Sequence, residues 1–205
     1  MMMFWKAGLV LLAIPKTGTQ AYAAALSDGA DMVIRHPTTF KHMTAQRFDR
    51  KLRPLLPSPQ AAQLETVAVI RAPIDWLGSW FRYRGRAQLA GQPNSTAGLE
   101  FDDFVTGYLE RDPPPWAQIG SQHRFVSGKD GRILVDHLFP YEDQTRLRAF
   151  LSHRLGRDVP RPELRNVSPT RTLTLSPATE ARLRAERAED FALHKAVSAA
   201  AASRE

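Results

Sequence analysis

The sequence predicts one α/β domain whose central sheet is mainly parallel and flanked by helices. Three observations point there. Apolar runs at 9–14 and 66–70, the second rich in β-branched residues, are separated by stretches with helical spacing. The first run passes through a short polar turn straight into an Ala-rich helical stretch, 21–26, the order of elements in a ligand-binding α/β unit. With 205 residues, 43% of them hydrophobic, the chain can bury a real core, and no repeat or linker divides it, so a single domain over 1–205 is expected.

Taken in order, 9–14 is the first strand, 15–20 a loop and 21–26 a helix. Residues 31–35 suit a second short strand, and 44–52 a helix opening on Thr44 as its cap and broken by Pro54, Pro57 and Pro59. The run 66–70 has the composition of a strand buried on both faces, and Pro73 suits the first turn of a helix reaching about residue 89. The Gly-, Pro- and Asn-containing stretch 91–98 is expected to be a loop, the best candidate for a lid or acceptor-binding segment. Helical spacing returns at 101–109. Residues 124–126 and 133–135 around a Gly-Lys-Asp-Gly turn suit a hairpin or two short strands. Leu147, Phe150, Leu151 and Leu155 place a helix over 142–155 with Gly156 at its end, 160–177 is an irregular crossing, and 178–197 is a final helix whose tail frays from about 199.

The formal charge is +7 and the sequence pI about 10.1, with Arg supplying most of it, so anionic partners are favoured. The absence of cysteine excludes disulfides, a thiolate nucleophile and a Cys-based zinc site. Residues 1–25 imitate a secretory leader, with Lys6, a short apolar run and Ala21-Tyr22-Ala23. Cleavage there would remove the polar loop, and the apolar run is too short to span a bilayer, so a buried strand in a soluble, cytoplasmic, unprocessed protein is expected, with peripheral membrane contact left open.

The loop is Pro15-Lys16-Thr17-Gly18-Thr19-Gln20. A helix N-terminus presents unpaired N–H groups and partial positive charge, and Lys16 adds a full one, so the turn is built to hold a phosphate. A Walker A loop needs an earlier Gly and its Lys after the second Gly, which this chain lacks.

Pro-Lys-Thr-Gly-Thr resembles the 5′-phosphosulfate loop of sulfotransferases that use 3′-phosphoadenosine 5′-phosphosulfate (PAPS). The segment from Val69 to Tyr83 is similar to the same family's 3′-phosphate segment, in which an Arg at a strand end precedes a Ser by eight positions, here Arg71 and Ser79. Weaker landmarks are the runs 139–143, 155–156, 166–169 and 190–191, read as structural. The resemblance implies a three-layer fold related to P-loop kinases. It further implies PAPS as sulfuryl donor, 3′-phosphoadenosine 5′-phosphate (PAP) as product, no metal, and a small-molecule or glycan acceptor. Lys16 is then catalytic, Lys16, Thr17, Gly18, Thr19 and Gln20 hold the 5′-phosphate, and Arg71 and Ser79 hold the 3′-phosphate. His42, in a Lys41-His42 pair like the family's, is the implied base, with His36 the runner-up. His123, His137, His153 and His194 lie outside the matching segments. Two departures stand out: Gln20 replaces the usual Ser or Thr, and the Arg-Lys-Gly segment of cytosolic sulfotransferases is not evident. Trp76, Trp80, Phe81 and Tyr83 read as packing rather than as a stacking platform.

Three alternatives remain from the residues. Ile133-Leu134-Val135-Asp136 resembles a Walker B strand, which would suit a P-loop kinase-like phosphotransferase. Charge alone suits a nucleic-acid-binding module, with no accompanying motif, so nucleic acid is not expected as a partner. A sulfotransferase-like fold that binds nucleotide without catalysis is the third.

Overall fold

The segment that imitates a leader forms the middle of a sheet. In the computed structural model, which describes residues 1–162 and 173–202, Met2–Phe4 (β1) pairs antiparallel with Leu9–Leu11 (β2), Met2 opposite Leu11. Gly8, at φ 60, closes the turn by donating its N–H to the Trp5 carbonyl at 3.1 Å. Met32–Val33 (β3), Glu65–Ile70 (β4) and His137–Pro140 (β5) complete a five-stranded sheet in the order β3-β1-β2-β4-β5. β2, β4 and β5 are parallel neighbours, whereas β1 is antiparallel to both of its own. The sheet is therefore mixed, and the mainly parallel sheet expected from the sequence holds only on the β2-β4-β5 side.

Side chains alternate between two cores, as the two-residue period of a strand requires. Met2, Phe4, Leu9, Leu11, Val67 and Val69 share one cluster, and Met3, Val10, Leu12, Ala68 and Ile70 the other. Helices Thr19–Leu26 (α1), Thr38–Lys41 (α2), Ala45–Arg47 (α3), Pro73–Arg84 (α4) and Phe101–Leu109 (α5) come first. Gln122–Val126 (α6), Gln144–Leu155 (α7), Pro177–Glu186 (α8) and Ala188–Ala202 (α9) follow. Tyr22 and Leu26 of α1 and Leu147 and Leu151 of α7 cover the first face; Phe48, Phe125, Val126 and Leu193 cover the second. A third cluster joins Trp76, Leu77 and Phe81 of α4 to Phe101 and Phe104 of α5 and Leu183 of α8.

Thr44 caps α3 by accepting from Arg47 N–H, and the chain continues as a wider turn, Phe48–Leu52. Gly156, at φ 63, ends α7 in the left-handed conformation. Several expectations are corrected. Residues 124–126 are helical in α6, started by Ser121 accepting from Arg124 N–H, and what remains of the hairpin is one bridge between Ser127 and Ile133. A short apolar run is ambiguous between strand and helix, and here the cap decides. The strand lies later, at β5. The helix from Pro73 stops at Arg84 because Gly85 follows, and the expected final helix is two, parted at Arg187. α9 persists to Ala202, past the expected fraying point. The run 166–169 lies outside the described residues. Among the described residues no helix is long and apolar enough to cross a membrane.

Asp136 precedes β5 at the amino end of the parallel strands. Its Oδ2 accepts from the N–H and hydroxyl of Thr66, at 2.7 and 2.8 Å, tying the starts of β4 and β5 together. Asp136→Ala leaves two donors without that acceptor and is expected to destabilise by about 1–3 kcal/mol. A urea midpoint unchanged from the parent would contradict this role.

Candidate functional site

The connection from β2 leads through α1 toward β3, while that from β4 leads through α4 toward β5, on the opposite side. A crevice opens where connections diverge, outside the carboxyl ends of β2 and β4. The loop 15–18 leaves β2 at that point, and Arg71 and Ala72 leave β4 beside it.

Four successive carbonyls of the loop each accept a hydrogen bond from a side chain. Ala13 O receives His42 Nδ1–H at 2.6 Å, Ile14 O the Thr17 hydroxyl at 2.9 Å, Pro15 O the Trp76 indole N–H at 2.9 Å, and Lys16 O the Arg71 guanidinium at 3.3 Å. The negative ends of these peptide dipoles are thereby engaged away from the ligand. At the start of α1 the Ala21 and Tyr22 N–H groups donate to the Gly18 carbonyl, at 3.0 and 3.3 Å, and the Gly18 and Thr19 N–H groups lie one step nearer the mouth, where a helix N-terminus favours an anion. Lys16 at φ 68 and Gly18 at φ 77 are both left-handed, which strains the backbone at Lys16, a non-glycine residue. A Cβ on Gly18 would lie 3.2 Å from the Tyr141 ring.

The loop forms one wall of a cavity of about 570 Å³. Lys16, Gly18, Thr19 and Gln20 line it from the loop, Lys41 and His42 from the segment after α2, and Trp80, Tyr83 and Arg86 from α4 and its end. Its described lining holds three basic side chains, Lys16, Lys41 and Arg86, and no carboxylate. Lys16 Nζ sits 4.2 Å from the centre of the Tyr83 ring. Burial pulls its pKa down to about 8, helped by Arg86, Arg71 and Arg82. Burial also lowers His42 below the ordinary imidazole value, against the raising effect of the Ala13 carbonyl. A carbonyl can only accept, so Nδ1 carries the hydrogen and the neutral ring keeps its lone pair on Nε2.

The site residues named from sequence divide into two groups. Lys16, Gly18, Thr19, Gln20 and His42 share the cavity, whereas Thr17 is buried with its hydroxyl turned to the backbone. Arg71 and Ser79 do not line it. Arg71 is held by Asp75 at 2.5 Å, by the Lys16 carbonyl and by the Tyr141 ring at 4.4 Å, and Ser79 is not among these partners. Gln122 grips the Arg71 backbone from both sides, donating to its carbonyl and accepting from its N–H. His36 lines a neighbouring cavity. His123, His137 and His194 each face a glutamate: Glu189, Glu65 and Glu142.

Sequence reasoning missed several cavity residues. Trp76 and Phe81 are packed as expected, but Trp80 and Tyr83 line the cavity, as does Arg86. Arg84 is buried and donates to the carbonyls of Pro115 and Gln118 at 2.8 and 2.9 Å, which fixes Gln118 and Ile119 as a further wall. Gln118 and Ile119 also line a separate cavity of about 630 Å³ that contains Glu186, Glu189 and Asp190. An Arg and a Tyr at helical spacing one turn apart were the available signal; which helix face met the loop was not legible.

Comparison with known protein families, curated proteins and solved structures returns no match to this chain.

Gly18→Ala forces a side chain into left-handed backbone against Tyr141 and is expected to lower stability by about 1–2 kcal/mol. Thermal melts should show the loss, together with weaker binding of inorganic pyrophosphate; parent-like values for both would remove the close approach of Gly18 as a requirement.

Proposed function

We propose that the chain is a sulfotransferase that moves a sulfuryl group from PAPS to a hydroxyl or amine of a small-molecule or glycan acceptor. The observation that carries this reading is the loop whose four carbonyls are tied back, opening on a cationic, carboxylate-free cavity that His42 shares. The donor fits that environment because its phosphates need N–H donors and fixed positive charge, and the acceptor needs a base.

The donor supplies an activated sulfur and a leaving group, PAP, in whose 5′-phosphate the electron pair of the broken S–O bond ends. Thr17, Gly18, Thr19 and Gln20 hold that phosphate through backbone N–H groups, and the Thr19 hydroxyl adds a side-chain donor. Lys16 stabilises the charge that grows on the bridging oxygen as the bond breaks. His42 Nε2 takes the proton of the acceptor as its oxygen or nitrogen bonds to sulfur. Arg71 and Ser79 are assigned to the 3′-phosphate by the resemblance, and Arg71 alone touches the loop, at the Lys16 carbonyl; it must exchange part of its contact with Asp75 to reach the ligand. No step requires a metal, since Lys16, Lys41, Arg86 and the helix N-terminus supply positive field.

A P-loop kinase-like phosphotransferase is disfavoured by Asp136. Its carboxylate is spent on Thr66 at the amino end of the strands, the edge opposite the loop.

In calorimetric titration, PAP is expected to bind without metal and to weaken at least tenfold in Arg71→Ala; preference for magnesium-ATP over PAP would overturn the reading. Lys16→Met is expected to abolish turnover. It should also stabilise the free protein near neutral pH by about 2 kcal/mol, because a buried cation is removed. A depressed lysine destabilises the fold fully below about 8, and that effect fades as pH rises toward the ordinary value, so the gain in melting temperature should shrink by pH 10. Turnover needs neutral His42 and charged Lys16 together. The kcat/KM profile should therefore fall above about 8, with its acid limb below the usual imidazole range. A profile still rising through pH 9 would take Lys16 out of the chemistry.

A further inference from the structure

A second cavity, of about 440 Å³, continues the crevice past the loop along α1. It shares Thr19, Gln20 and Lys41 with the cavity already described, so the two meet at the loop's mouth. Ala13, whose carbonyl holds the His42 ring, stands in its wall. The base is therefore next to the junction. Both cavities sit at the carboxyl edge of the sheet, this one over β1 and β3 and the other between β2 and β4.

Its lining has a definite character. The floor is apolar, made by Leu11, Val33 and Ile34 of the sheet side and Ala23 and Ala24 of α1. The rim carries the cations Arg35 and, at the junction, Lys41, with His36 beside them, Arg35 and His36 both exposed, and the described lining contains no carboxylate. The cavity beyond Gln118 is mixed in charge, with Glu186, Glu189 and Asp190 in its lining beside Arg124 and Arg187. An apolar body is favoured on the first floor by roughly 25 cal/mol per Å² removed from water, and an anionic group is favoured at the first rim but not at the second cavity.

Resting on the sulfotransferase reading, we propose that the cavity along α1 is the acceptor subsite and that it takes a hydroxyl on an apolar ring system bearing an anionic group, rather than a free glycan. The apolar body lies on the floor, the anion meets Arg35, and the hydroxyl reaches the junction beside His42 and Lys41. Ala24 is exposed on α1, so a larger side chain there fills the subsite without entering the core.

The test uses 6-hydroxy-2-naphthoate, its methyl ester, and lactose. Each is titrated into the protein held saturated with PAP, and each is assayed with PAPS for transfer. The naphthoate is expected to bind and accept sulfate, the ester to lose at least tenfold in affinity, and lactose to do neither. Ala24→Phe and Arg35→Glu should raise the naphthoate KM at least tenfold while leaving PAP affinity unchanged. With PAP still bound, equal affinity for acid and ester, preference for lactose, or indifference to both substitutions would overturn the acceptor proposal alone. Failure to bind PAP at all would instead remove the sulfotransferase reading beneath it.

Discussion

The arrangement depends on four carbonyls in a row that all point to donors. Ala13, Ile14, Pro15 and Lys16 are served by His42, Thr17, Trp76 and Arg71, which come from the segment after α2, the loop itself, α4 and the end of β4. An anion site made of backbone fails if any carbonyl turns into it, because a peptide dipole repels as readily as it attracts. Tying back all four removes that failure. It also locks His42, helix α4 and the strand-end arginine to one short stretch of chain. The same hydrogen bond that orients the loop at Ala13 fixes which imidazole nitrogen of His42 is left to act as acceptor.

Positive charge is crowded beside the loop. Lys16 is half-buried among Arg71, Arg82 and Arg86, with its ammonium resting over Tyr83, and its proton is held more weakly than in water. Asp75 offsets part of this by pairing with Arg71 and, more loosely, with Arg82 at 3.8 Å. An oligoanionic ligand would relieve the rest. Strained backbone at Lys16 and crowded cations beside it both cost stability, as they would at the phosphate site proposed above.

Much of this was legible along the chain and some was not. The loop, the helix behind it, the β4 run and the Gly156 cap are local patterns, and each has a local physical cause. β1 was hidden because Met1 to Phe4 beside Lys6 is also the composition of a leader, and only its partner across the Gly8 turn makes it a strand. α6 was hidden because Arg124-Phe125-Val126 is too short to show a period. The donors to the loop were hidden for another reason. Trp76 and His42 are far from residues 13–16 in sequence, and nothing in their spacing says that a side-chain N–H will meet a particular carbonyl. Tyr83 reads as packing until the rotation of α4 brings it to the cavity, and Arg86, just past the helix end, joins it there.

The measurement that bears most directly on this account is a backbone-amide NMR titration with PAP in the presence of a chelator, including the His42 ring nitrogens. Large shifts are expected at residues 16–20, Arg71, Ser79 and His42, with His42 Nδ1 protonated before and after addition. Shifts centred on Glu186 to Asp190 instead, or shifts that require magnesium, would contradict it.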